Sequence, residues 1–304
     1  MMQKEELAAK LNTLIQGDVQ VDAPMSLHTS FKIGGPADVL VIPKEETDIA
    51  AVLAFARETG TPLTVLGNGS NVLVRDKGIR GIVLVLGNTM KYARREGNRM
   101  VFSAGLSLAA ASRAAGEAVL TGMEFAVGIP GSIGGALYMN AGAYDGEMKN
   151  VVVSARLLSY EGTEFTLTRE ALHLGYRHSV LQERPAIVLD ITTEMQPGDK
   201  DAIQQKMEDF SSRRASRQPL EMPSAGSTFR RPEGHFVGPM IEKAGLKGYR
   251  IGGAEVSRKH AGFVVNAGGA TAADVLALIR HIQETIRRTD GVELVPEVLI
   301  LGEE

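Results

Sequence analysis

Residues 128–146, GIPGSIGGALYMNAGAYDG, carry glycine at 128, 131, 134, 135, 142 and 146, with no charge run and no sustained strand or helix period. Such a stretch makes neither a long helix nor a central strand, because each glycine adds backbone freedom that ordering must remove. It has to be a loop held in shape by its surroundings, and its missing side chains let backbone approach a ligand or a neighbouring element closely. A shorter break of the same kind, LGNGSN at 66–71, follows a strand-like run. Glycine makes up 34 of the 304 residues, well above the usual ~7 per cent, so more than one close backbone approach is expected.

Around these loops the chain keeps an alternating rhythm. Leu7, Leu11, Leu14 and Ile15, then Ile49, Val52, Leu53 and Ala56, fall at helical spacing and predict amphipathic helices over about 5–16 and 46–59. Short apolar runs predict strands at 38–43, 62–67, 71–76, 81–87 and 99–105, and Ser107 can cap an alanine-rich helix. VVVSARLLSY, a Glu161-Gly162 turn, TEFTLT and AIVLDITTEM at 186–195 predict a largely antiparallel set. Pro197-Gly198-Asp199 marks a boundary. Beyond it come a polar helix over about 200–216, a long loop QPLEMPSAGSTFRRPEGHF, short strands at 254–256 and 262–266, a helix opened by Thr271 and Asp274, and a final strand VELVPEVLILG. The reading is α+β in two domains, 1–198, itself split near 75–85, and 199–304.

Several chemistries drop out. There is no cysteine, so thiol nucleophiles, disulfides and thiolate metal sites are excluded, and redox chemistry would need a bound cofactor. The six histidines are scattered without metal-ligand spacing, and no metal is expected. GxxxxGK[ST], HExxH and GxSxG are all missing. A net charge of -3 supplies no bulk attraction for nucleic acid or an anionic membrane. The first residues, MMQKEELAAKLNTLIQG, lack the apolar core of a signal peptide, and no long apolar run follows, so a cytoplasmic location is the economical reading.

Gly67, Asn68, Gly69, Ser70 and Asn71 can form an anion-binding nest or an ordinary turn between strands. Gly128, Ile129, Pro130, Gly131, Ser132, Gly134 and Gly135 precede a helix start and can offer backbone N–H groups to a pyrophosphate. Two such loops suit a dinucleotide-sized ligand. Three further polar places stand out: Tyr176-Arg177, Ser227 in AGSTFRR and Glu297 in VPEV, each of which alone also reads as an ordinary surface feature.

HTSFKIGGPAD at 28–38, GNGSNVLV at 67–74, AVGIPGSIGGALYMNAGAYDGEM at 126–148, YRHS at 176–179, AGSTFRRP at 225–232 and PEV at 296–298 together resemble the UDP-N-acetylenolpyruvoylglucosamine reductases, the bacterial MurB flavoenzymes, of the shorter type without an inserted tyrosine loop. The resemblance implies a two-part FAD-binding domain of the vanillyl-alcohol-oxidase type followed by a substrate domain, with tightly but non-covalently bound FAD and NADPH as transient hydride donor. It implies reduction of UDP-N-acetylglucosamine enolpyruvate by a monomer. Arg177 matches the family's carboxylate-binding arginine, Ser227 its proton donor to C2 and Glu297 the carboxyl group beside the same centre. Arg214 is assigned to the cofactor, and Tyr176, Arg217 and Arg231 to the sugar diphosphate. Leu299 stands where many members carry a basic residue. Another FAD-dependent oxidase of this fold, or a non-catalytic flavin or nucleotide-sugar binder, are the competing readings.

Overall fold

Lys4–Leu14 (α1) and Glu46–Thr59 (α2) are the helices that the apolar spacing requires. The structure is a computed structural model that describes residues 2–304. Glu45 and Asp48 close a capping box at the start of α2, and Gly60 ends it in the left-handed region at φ 63°. The buried Asp48 carboxylate also accepts from the backbone of Gln16 and Lys44, at 2.9 and 2.7 Å, so its burial leaves no orphaned charge. Leu7, Leu11, Ile49, Val52 and Leu53 bury one face of the two helices against Val39, Val41, Ile82 and Leu84. Those last four belong to a four-stranded sheet in the order 18–24, 36–42, 79–85, 63–66. Its last two strands are parallel, with Leu63 opposite Ile82.

A second sheet of five antiparallel strands runs in the order 164–168, 152–159, 186–194, 99–103, 93–96. Leu108–Glu117 (α3) and Ile133–Tyr138 (α4) share its core with Phe102 and Ile191. Each begins at a serine, Ser107 and Ser132, whose hydroxyl accepts an N–H of the first turn. Lys200–Arg217 (α5) adds Phe210, stacked on Tyr144 at 4.4 Å between ring centroids. These elements make one compact unit: the chain up to Val21, Val39–Asn68 and Gly81–Arg214.

Arg156 ties this unit together. Its guanidinium forks onto Glu46 at 2.6 and 2.9 Å and donates from Nε to Asp190 at 2.9 Å, where Tyr92 also donates its hydroxyl at 2.8 Å. Burial and the neighbouring Asp190 push the Tyr92 phenol up to about 12, so it stays a donor. Arg156→Ala would strand the buried Asp190 carboxylate without its cation. The expected cost, discounted for the partial exposure of Arg156, is about 2–3 kcal/mol. A urea unfolding midpoint unchanged from wild type would show that the network contributes nothing net.

The second unit comprises Asp22–Asp38, Gly69–Arg80 and Ala215–Glu304. It holds Val237–Lys243 (α6) and Ala272–Asp290 (α7). Thr271 and Asp274 form the expected capping box of α7, and the Asp76 carboxylate accepts the Ala272 and Ala273 N–H groups at 2.8 and 2.9 Å. Val275, Ile279 and Ile282 pack on Ile33, Leu73 and Val264. A three-stranded antiparallel sheet joins 250–251, 254–256 and 264–266, and Leu299–Leu301 lies parallel to Val72–Val74.

The compact units thus divide the chain after Arg214 rather than at 198, and within 75–85 they change over between Arg80 and Gly81. Residues 199–214 stay with the first unit because α5 buries Ile203, Met207 and Phe210. Residues 69–80 join the second because strand 72–74 pairs with the far end of the sequence. The final strand is also shorter than its apolar run suggests. Pro296 has no N–H, and the segment before it pairs only locally, through Arg230 N–H to Val295 O at 2.8 Å and a bridge between Phe229 and Pro296.

Candidate active site

Inside the first unit the two glycine-rich loops meet. A Cβ on Gly67 would overlap the Ser132 hydroxyl, and one on Gly87 would overlap the Asn68 side-chain oxygen, so both contacts need glycine. Gly131 has φ 140°, in a region that other residues rarely enter. The longer loop is pinned to the strand beside it: Leu108 N–H donates to Gly131 O at 3.1 Å, and Ile133 and Gly134 donate to Leu106 and Ala104 at 2.8 and 2.9 Å. The Ile129 amide donates to Ala126 O and the Gly135 amide to Ser132 Oγ. The donor set is therefore smaller than the sequence suggests. Ile129, Gly134 and Gly135 shape the loop with their amides engaged, and Gly128, Gly131 and Ser132 are the amides that can face a ligand.

Arg214, on α5, lies against this loop, since a Cβ on Gly128 would come 2.9 Å from its Cδ. Its Nε is buried without a hydrogen-bond partner, and so is Asn68 Oδ1. Burial lowers the Arg214 pKa. A guanidinium held there gains from an anion beside it. Arg213, one residue earlier, instead pairs with Asp209 on its own helix at 2.8 Å.

Tyr176 and Arg177 form the tip of a two-residue hairpin closed by Gly175 N–H to His178 O at 3.1 Å and His178 N–H to Gly175 O at 3.2 Å. Arg177 takes φ 54° where such a turn normally holds glycine or asparagine. A left-handed non-glycine residue costs about 1–2 kcal/mol. The guanidinium sits over the exposed Tyr176 ring, 5.3 Å from its centroid.

In the second unit the structure brings Ser227 and Glu297 onto paired segments. Glu297 N–H donates to Thr228 O at 2.9 Å, Thr228 N–H donates to Gly262 O at 2.9 Å, and Val264 N–H donates to Thr228 Oγ1 at 2.9 Å. Thr228 is the buried clamp, and Ser227 beside it is exposed. Asn71 joins this segment, with its amide donating to Glu297 O at 3.2 Å and its carbonyl accepting Leu299 N–H at 3.0 Å. Gly69 belongs here too, accepting Ser30 N–H at 3.0 Å, as does Ser70. Arg231 Cζ lies over the Phe236 ring, 3.9 Å from its centroid, and Nε donates to His235 O at 3.2 Å. Arg217 is the exposed last residue of α5.

A family model described as UDP-N-acetylenolpyruvoylglucosamine reductase, C-terminal domain, matches residues 218–301, and an FAD binding domain model matches residues 37–168. A UDP-N-acetylenolpyruvoylglucosamine reductase of Clostridium perfringens strain 13 is 50% identical over 94% of this chain and 93% of its own length. One from Latilactobacillus sakei is 47% identical over 97% of this chain and 99% of its own. This chain belongs to the UDP-N-acetylenolpyruvoylglucosamine reductase family. The crystal structure of the Thermus caldophilus member superposes with a TM-score of 0.81 at 32% identity, covering 95% of this chain and all of that one. An alkyldihydroxyacetonephosphate synthase shares the fold alone over 64% of the chain, at a TM-score of 0.50 and 15% identity.

The chain is therefore an FAD-dependent oxidoreductase of α+β fold, with an FAD-binding domain and the C-terminal domain of its family. Its first unit fits that cofactor. Side-chain-free loops, unengaged amides at 128 and 131–132, a buried arginine with an orphaned Nε and an orphaned amide oxygen on Asn68 suit a ligand with a diphosphate and hydrogen-bonding rings. Among the described residues no group of three acidic or histidine side chains could hold a metal ion, and no helix is long and apolar enough to cross a membrane. Sequence reasoning missed two residues around Arg177. Buried Asn140, at φ 41°, donates to Gly175 O at 2.9 Å, and Gln182 donates to Arg177 O at 3.1 Å. The one signal for Asn140 was an asparagine just after a helix, a residue that tolerates the left-handed region.

Proposed function

We propose that the enzyme reduces UDP-N-acetylglucosamine enolpyruvate to UDP-N-acetylmuramate with NADPH, a peptidoglycan precursor step in the cytoplasm. The pairing of the Ser227 segment with the Glu297 segment carries this reading, because it gives a proton donor and a carboxyl group one clamped location. When bound, FAD supplies the two-electron relay by which hydride from NADPH reaches C3 of the enolpyruvyl ether.

Hydride addition at C3 leaves negative charge on C2 and the adjoining carboxylate. Arg177 binds that carboxylate through its planar fork and stabilises the charge as it develops. Ser227 gives its hydroxyl proton to C2, so one hydride and one proton add across the double bond. Exposure to solvent lets the serine oxygen recover a proton from water. Glu297 holds a hydrogen bond to the same centre. Gly67, Asn68, the 128–135 loop and Arg214 hold the cofactor, and Gly69, Ser70 and Asn71 continue that turn into the strand at 72–74. Tyr176, Arg217 and Arg231 receive the sugar diphosphate. The FAD-binding role falls on the 1–198 portion with Arg214 added, and the substrate role on the remainder together with Tyr176 and Arg177.

Anaerobic NADPH is expected to bleach the purified yellow protein, and UDP-N-acetylglucosamine enolpyruvate to restore the colour. Recovery with oxygen alone would favour an oxidase. Failure to bleach would favour a non-catalytic binder. Tyr176→Phe keeps the ring under Arg177 and loses only the hydroxyl. It is expected to raise the substrate KM by about 5- to 10-fold with kcat little changed. A fall in kcat at constant KM would reassign the hydroxyl to the chemical step.

A further inference from the structure

Arg177 is held in an unfavourable backbone conformation by groups outside its own hairpin. Gln182 Nε2 donates to the Arg177 carbonyl at 3.1 Å and to the carbonyl of Tyr138, the last residue of α4, at 3.0 Å. One side-chain amide thus ties the turn to the helix that the glycine-rich loop begins. Ser179 Oγ donates to the same Tyr138 carbonyl at 2.8 Å. On the other flank, Asn140 Nδ2 donates to Gly175 O at 2.9 Å and to Glu147 Oε2 at 2.9 Å, while its oxygen accepts Lys149 N–H at 2.9 Å. Asn140 is fully buried and Gln182 partly so. Relaxing Arg177 to a right-handed or extended backbone would turn its carbonyl away from Gln182, and moving Gly175 would break the Asn140 contact. The two carbonyls that bracket the tip, at 175 and 177, are each fixed by one amide.

We propose that Gln182 and Asn140 are positioning residues for Arg177: their side-chain amides hold the 175 and 177 carbonyls so that the arginine stays in its left-handed conformation with its guanidinium aimed at the substrate carboxylate. This rests on the carboxylate-binding role of Arg177 and concerns only what supports it. Neither amide touches the reacting atoms. The effect of losing one is therefore misdirection of the guanidinium, which weakens charge stabilisation at the substrate without altering flavin content.

Gln182→Met keeps the unbranched length and removes both donors, and Gln182→Glu serves as a second variant should the first not fold. Each holoenzyme is reduced anaerobically with NADPH and reoxidised with UDP-N-acetylglucosamine enolpyruvate under stopped flow, in the wild-type and the Arg177→Ala backgrounds. The expected result is unchanged FAD content and NADPH reduction, with reoxidation slowed about 10- to 100-fold in the wild-type background. In the Arg177→Ala background the same substitution should change the rate by less than about 2-fold, because the group through which it acts is gone. Equal slowing in both backgrounds would overturn the proposal in favour of a general structural role, and so would no slowing in either. If Arg177→Ala itself reoxidises at the wild-type rate, the role of Arg177 fails, and that outcome is read from the single variant alone.

Discussion

Ser227→Ala is expected to keep its FAD and to be bleached by NADPH at the wild-type rate, yet to recover its colour with UDP-N-acetylglucosamine enolpyruvate about 10²- to 10⁴-fold more slowly. The split between half-reactions follows from where Ser227 sits. Its neighbour Thr228 makes the contacts that hold the segment, donating to Gly262, accepting from Val264 through its hydroxyl and receiving Glu297 N–H on its carbonyl. Ser227 itself is exposed and follows Gly226, whose φ of 76° sets the turn into the segment. Removing one exposed hydroxyl leaves that clamp and the Glu297 position intact, so the loss falls on proton delivery alone. Equal slowing of both half-reactions would mean that Ser227 supports the fold or the cofactor, and the proton would need another source.

What the sequence made legible followed local rules. The α2 and α7 helices carry their capping boxes in Glu45 and Asp48 and in Thr271 and Asp274, and their apolar faces are the buried ones. The antiparallel strands at 152–159, 164–168 and 186–194 were equally readable from alternation and a glycine turn. Non-local pairings were not. Nothing in VLV at 72–74 says that its partner lies at 299–301, and the division of the chain into units depends on that pair. The seven-residue α6, with Gly238 and Pro239 inside it, contradicts intrinsic propensity and forms because Met240 and Ile241 are buried.

The site shows the same limit. Sequence alone leaves Arg213 and Arg214 adjacent, and only the family resemblance gave Arg214 to the cofactor and Arg217 to the sugar diphosphate. Helical phase separates the first two, turning Arg214 to the Gly128 loop and Arg213 to Asp209. The left-handed backbone of Arg177 leaves no trace in YRHS, because composition favours glycine or asparagine at such a place. Ser227 and Glu297 stood out as isolated polar places in the sequence, and the family resemblance supplied their roles. Their segments pair across about 70 residues of sequence, which spacing cannot reveal.

Gly131→Val is expected to give a folded protein that has lost most of its yellow colour. At φ 140° a β-branched residue is strained by about 1–3 kcal/mol. The loop relieves that strain only by moving Gly131 O off Leu108 and shifting Ser132, the cap of α4 and the neighbour of Gly67. Either movement displaces the amides proposed to face the pyrophosphate, and the strain alone corresponds to about a 10- to 100-fold loss of affinity. Gly162→Val is the control. Gly162 also has positive φ, at 88°, but lies in an exposed turn with nothing within 4 Å of an added Cβ. That variant suffers comparable backbone strain away from the loop and should stay yellow while losing some thermal stability. Flavin absorbance per mole of protein separates the cases. Loss in Gly131→Val alone ties FAD to the 128–135 loop, whereas full occupancy in both would put the pyrophosphate elsewhere in the first unit.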